Sequence, residues 1–125
     1  MAKPILVLIV DDRTLFTGLL ADLLQKLAGL PEREINSAAT LHEASEIING
    51  DQFLDLMIIN SQVADQSSYD LIQLFRGKFP DSHIIGVSDD KEGVQSLNDA
   101  GVDSAYCKPV PLSAFFNALM QVHPK

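Results

Sequence analysis

The chain is predicted to fold as an α/β domain, a (βα)5 unit around one doubly wound parallel sheet. Three observations carry this. Pro4 to Val10 (P-I-L-V-L-I-V), Leu54 to Ile59 and His83 to Val87 are short and largely apolar at odd and even positions alike, the pattern of strands buried on both faces. Between such runs apolar residues recur at helical spacing, as on helices with one face against a core. Strand and helix patterns alternate five times with short connections and no low-complexity tract. That alternation implies parallel strands, right-handed crossovers and helices on both sides of the sheet.

Each element has a local reason. The first strand stops at Asp11-Asp12. Leu15, Phe16, Leu19, Leu20, Leu23, Leu24 and Leu27 define the helix after it, with Asp12 the expected N-cap and Gly29-Leu30-Pro31 the expected end. Glu34 to Ala38 is a weaker strand expected near an edge. A short helix on Leu41, Ala44, Ile47 and Ile48 follows, broken by Asn49-Gly50-Asp51. Leu54 to Ile59 ends at Asn60, and a polar loop leads to a helix marked by Leu71, Ile72 and Phe75 and closed by Pro80. His83 to Val87 ends at Ser88. The next helix, about Lys91 to Ala100, contains Gly93, which lowers its intrinsic stability. Val102 to Cys107 is the last strand, stopped by Lys108-Pro109, and Leu112, Phe115, Phe116 and Leu119 define the closing helix.

A length of 125 residues suits a single domain, 1–125. Seventeen acidic side chains against nine basic ones give a formal charge of −8. Nucleic acid as a direct ligand is thereby disfavoured, because phosphate binding needs a local excess of Lys and Arg. An anionic membrane surface is disfavoured for the same reason. One cysteine, Cys107, builds neither an internal disulfide nor a thiolate metal site, and is expected as buried filler. No secretory leader pattern and no apolar run of membrane-spanning length is present, so a cytoplasmic protein is expected.

Open parallel sheets place ligands beyond the carboxyl ends of their strands, where the strand order reverses. Asp11, Asp12, Asn60, Ser88 and Lys108 all fall at such ends. Adjacent carboxylates suit a hard, water-keeping cation such as Mg²⁺ better than Zn²⁺, unless Asp12 merely caps and Asp11 is solvated. Lys108, held extended before Pro109, would neutralise carboxylates or grip a phosphoryl oxygen; the alternative is a turn lysine. Ser88 either donates to such an oxygen or caps the helix that follows. His42, His83 and His123 lack metal spacing and are expected to be structural or exposed. Asp55 and Asp65 are expected as solvated charges.

With V-D-D at 10–12, the strand end at Asn60, the hydroxyl at Ser88, Gly101 before the last strand and K-P at 108–109, the chain from Ile5 to Val122 resembles the CheY-like receiver domain of two-component response regulators. The resemblance implies a flavodoxin-like sheet of strand order 2-1-3-4-5. It also implies a Mg²⁺ site formed by the acidic pair, residue 60 and the backbone carbonyl of Gln62. Further implications are phosphoryl transfer from a histidine kinase to residue 60, and contacts from Ser88 and Lys108 to the new phosphate. The expected partners are a kinase, an output domain or a second copy, through the face of the fourth helix, fifth strand and fifth helix.

The departures are equally specific. Residue 60 is Asn, and an amide oxygen does not form a stable acyl phosphate as a carboxylate does. The missing charge also weakens any Mg²⁺ site. Ala64 and Ser68 stand where the family usually has Pro and Gly, and Ala105 stands at the usual aromatic switch position, with Tyr106 beside it as either a core residue or a displaced switch. Several changes together favour natural divergence over an Asp-to-Asn knockout of an ordinary phosphoaccepting receiver. The expectation is an atypical receiver that acts by protein contact, either free-standing or cut from a larger regulator, and not an enzyme. Two rivals of another class fit less well. A flavin phosphate site wants a hydroxyl- and Gly-rich loop where Asp11-Asp12-Arg13 stands, and a haloacid-dehalogenase type of phosphatase wants two aspartates spaced by one residue.

Overall fold

The computed structural model describes residues 4–122; His123 lies outside them. In chain order the elements are β1 (Ile5–Val10), α1 (Thr14–Lys26), β2 (Arg33–Ala38), α2 (Leu41–Ile48), β3 (Leu56–Asn60), β4 (Gln62–Val63), β5 (Gln66–Ser67), α3 (Tyr69–Lys78), β6 (His83–Ser88), α4 (Lys91–Ala100), β7 (Ser104–Cys107) and α5 (Leu112–Gln121). The main sheet has five strands in the order β2-β1-β3-β6-β7, all pairings parallel. Setting aside the small β4–β5 hairpin, this is the expected 2-1-3-4-5 order. The order reverses at β1, so the carboxyl ends of β1, β3 and β6 open on one crevice.

The apolar runs became the central strands because both their faces are covered. Leu8, Val10, Met57, Ile59 and Ile84 pack with α2, α3 and α4 in one cluster. Their alternate neighbours Ile5, Val7, Ile9, Ile58 and Ile85 pack with α1 and α5 in the other. β2 lies at the edge, in keeping with its weaker pattern. β3 begins two residues later than expected and includes Asn60.

The polar loop after Asn60 is a tight antiparallel hairpin, Gln62–Val63 against Gln66–Ser67. Ala64 and Asp65 turn it with φ of 50° and 62°, the left-handed pair that matches strand twist in two-residue hairpins. Asp65 is exposed, as expected.

Four expectations are corrected. Asp12 does not cap α1; the N-cap is Arg13, and its backbone N–H donates to Asp11 Oδ1 at 3.0 Å. Asp55 is buried, and its Oδ2 accepts the Leu6 N–H at 2.9 Å, tying the chain before β3 to β1. Cys107 is exposed: it is the last residue of edge strand β7, its Sγ 3.6 Å from the Asp89 carbonyl oxygen. On α1 only Leu20 and Leu24 of the leucines reach the core, while Leu15, Leu19 and Leu23 are 77%, 64% and 44% exposed. The seven apolar positions form two adjoining stripes, and one sheet face receives only one of them. Leu19 and Leu23 border an open apolar groove of about 580 Å³ with Pro109, Val110 and Phe115.

Arg33, at the start of β2, is buried, and its guanidinium donates to the carbonyls of Leu24 (2.6 Å), Gln25 (3.1 Å), Pro31 (2.8 Å) and Leu27. Those oxygens at the end of α1 and just beyond lack helical partners, and a fixed cation there also opposes the helix dipole. Gly93 occupies the first turn of α4, whose N-cap Asp90 accepts the Gly93 N–H at 2.7 Å.

His42 is exposed and lies 3.0 Å from Glu46. His83 opens β6 half-buried. Desolvation lowers its pKa below the ordinary 6.5, against the opposing attraction of Asp103 and with the help of Arg76. The unfolded chain therefore binds more protons than the folded one from 6.5 down to the depressed value, so stability rises with pH across that window and is lost on acidification. Urea unfolding at a series of pH values should show the midpoint falling as the pH drops through this range, with a shallower fall in His83→Gln.

Candidate functional site

Four strand ends bring the predicted residues together. Asp11 follows β1, Asn60 ends β3 and Ser88 ends β6, all buried at 3%, 7% and 2% exposure, and Lys108 follows β7. The Lys108–Pro109 peptide is cis. Asn60 Nδ2 donates to Asp11 Oδ2 at 3.2 Å, and Ser61 Oγ lies 3.5 Å from Asn60 Oδ1. The amide is held this way round because a carboxylate only accepts. Ser88 Oγ meets Ser61 Oγ at 3.0 Å and accepts the Asp90 N–H at 3.3 Å, so it does not itself cap α4. Asp12 and Gln62 are exposed and line the adjoining cavity of about 380 Å³ with Arg13, Asp65, Asp89 and Glu92 among others.

The electrostatics depend on two cations. Lys108 Nζ stands 3.6 Å from Asp11 Oδ2 and 3.6 Å from Asp89 Oδ1, and 4.5 Å from the centre of the Phe16 ring. Arg13 reaches Asp11 through Nε (3.4 Å) and Nη2 (3.5 Å), and Asp89 through Nη1 (3.3 Å). Partial burial pulls the Arg13 pKa down, but the attraction of Asp11 and then Asp89 outweighs it and leaves the value raised. In the sequence Arg13 stands out only as a misfit to a flavin site, and no motif there points to Ser61 or Asp89. An arginine directly after the acidic pair was the one available signal for the first.

Tyr106 packs against the α1/α5 cluster, while Ala105 packs on the α4 side, the face that Ser88 shares. A displaced switch at Tyr106 would have to act through the sheet, so its core role prevails.

Of the four Mg²⁺ ligands implied by the resemblance, Asp11 and Asn60 fit poorly because protein donors already engage them, whereas Asp12 and Gln62 are exposed at the cavity. Both Asp11 oxygens already accept from Arg13 or Asn60, and Asn60 turns its NH₂ rather than its oxygen toward Asp11. Among the described residues no group of three or more His, Cys, Asp or Glu side chains is arranged to hold a metal.

No protein-family model matches the chain, and no curated protein matches it. Solved structures do. A response regulator from Burkholderia pseudomallei, with a phosphorylated aspartic acid, calcium ion and citrate, superposes with a TM-score of 0.79 at 19% identity, covering 94% of this chain and 67% of its own. A CheY-like receiver domain from Methanospirillum hungatei JF-1 gives 0.78 at 23% identity, covering 92% and 90%. The beryllofluoride-activated NtrC4 receiver domain dimer gives 0.75 at 22%, covering 91% and 92%. The fold is therefore that of CheY-like response-regulator receiver domains. No helix among the described residues is long and apolar enough to cross a membrane.

Proposed function

We propose that the chain is an atypical receiver domain of a two-component response regulator. It forms one domain over residues 1–125 and signals in the cytoplasm by protein–protein contact, without phosphorylation at residue 60. The observation that carries this reading is Asn60 itself, buried at the phosphoacceptor strand end with its amide committed to Asp11. A carboxamide at that position is no nucleophile for a phosphoryl group. Ser88 and Lys108, which would contact a phosphate in a working receiver, are here bound to Ser61 and to Asp11 with Asp89. The partners are a histidine kinase, an output domain or a second copy, met through the face of α4, β7 and α5; the similar NtrC4 receiver is a dimer.

A second reading, an ordinary phosphoaccepting receiver with Asp replaced by Asn, is favoured by the retained Asp11, Ser88 and Lys108. Acetyl phosphate treatment followed by intact-mass measurement separates the two. The wild-type chain should carry no phosphoryl adduct, and Asn60→Asp should stay unlabelled because Arg13 already engages both Asp11 oxygens. Efficient labelling of Asn60→Asp would favour the second reading, and labelling of the wild type at Asn60 would refute both.

A further inference from the structure

The pocket beside Asn60 carries its own positive charge. Two acids, Asp11 and Asp89, face two bases, Arg13 and Lys108, at 3.3 to 3.6 Å. Asp11 is the decisive partner, because at 3% exposure its charge needs compensation far more than the 66%-exposed Asp89 does. We propose that Arg13 is the resident cation of this pocket, standing in for a divalent metal at Asp11, and that through Asp89 it straps the β1–α1 turn to the β6–α4 turn.

Three features support this. The Arg13 fork and its own backbone N–H between them engage both Asp11 oxygens, so a metal must first displace them. A cation such as Mg²⁺ needs oxygens free at near-octahedral geometry and gives up its water reluctantly, and this chain offers one buried carboxylate already in use. Moreover Lys108 Nζ is buried without a hydrogen bond within ordinary distance and sits midway between the same two carboxylates. A doubly charged ion at Asp11 would therefore arrive beside two cations already paired with the one buried carboxylate, while the other acids of the cavity, Asp12, Asp65, Asp90 and Glu92, are solvent-exposed and attract it less. Arginine does not titrate away or dissociate at physiological pH, so its charge is permanent where a metal's depends on concentration.

Arg13 is also half-exposed and lies in a turn, so its replacement should leave the fold standing. The test compares wild type with Arg13→Gln, Asn60 being present in both, by following the backbone amide NMR shifts of Asp12, Ser61 and Gln62 and the melting temperature while MgCl₂ is exchanged for NaCl at matched ionic strength. The wild type should show no saturable shift and no Mg²⁺-dependent melting change. Arg13→Gln should gain a saturable response, with Mg²⁺ affinity about tenfold or more above the wild type, because one repelling unit charge has left the site. A wild-type protein that saturates with Mg²⁺ at the same midpoint as the variant overturns the proposal. So does an Arg13→Gln protein that stays silent, and the wild-type arm decides alone if the variant does not fold.

Discussion

Replacing Arg33 by methionine should destabilise the domain by about 3 kcal/mol, the loss expected when a buried charged donor to several carbonyls disappears. Methionine fills much of the volume, so the loss isolates the polar part. The carbonyls of Leu24, Gln25, Leu27 and Pro31 would be left around an apolar side chain, and each buried acceptor without a donor keeps its desolvation cost. Arg33→Lys should recover only part of the stability. A single ammonium lacks the planar fork that meets carbonyls on several sides at once. Urea midpoints of the three proteins decide the matter; a methionine variant within about 0.5 kcal/mol of wild type, the range of ordinary surface substitutions, would show that the cluster is dispensable.

Gly93→Ala should be the most damaging small change near the pocket. A Cβ built at Gly93 would lie 1.8 Å from Ser88 Oγ, 2.7 Å from Ser61 Oγ and 2.8 Å from Ser88 Cβ. Alanine is the better helix former by about 1 kcal/mol, and at an exposed position the exchange would stabilise α4. Here overpacking reverses the sign, and a net loss of about 2 kcal/mol is expected after that offset. Turning the Ser88 hydroxyl aside relieves the shortest contact but not the one to its Cβ. The double variant Gly93→Ala, Ser88→Ala should therefore recover part of the loss and not all of it, as read by thermal melting. A melting temperature raised by Gly93→Ala alone would mean that α4 does not approach Ser88 this closely.

That glycine illustrates how far the sequence could be read. By itself Gly93 weakens a helix; its purpose, letting α4 approach Ser88 and Ser61, depends on a packing distance that periodicity does not encode. The five strands and their order were legible because buried parallel strands are apolar on both faces, and Asn60, Ser88 and Lys108 were legible because each stands where such a run stops. The α1 surface was misjudged because seven apolar positions gave more hydrophobic surface than one helix face can bury. Asp55 was misjudged because a charge beside an apolar run reads as a loop residue, when its carboxylate actually binds the Leu6 N–H. The role of Arg13 is not legible because it arises only when the sheet brings the ends of β1 and β6 to one edge, with β3 between them.

The alternation of β7 has an optical consequence. The chain has no tryptophan and two tyrosines. Tyr69 is 52% exposed at the start of α3, and Tyr106 is packed with the residues of α1 and α5. Intrinsic ultraviolet emission from the interior therefore comes from the half of the molecule that faces away from α4. Loosening of α1 or α5 would change that signal directly, whereas a rearrangement confined to Asn60, Ser88 and the first turn of α4 would leave it nearly dark. A tryptophan introduced at Ala105, on the opposite side of the same strand, would give the other half its own lamp.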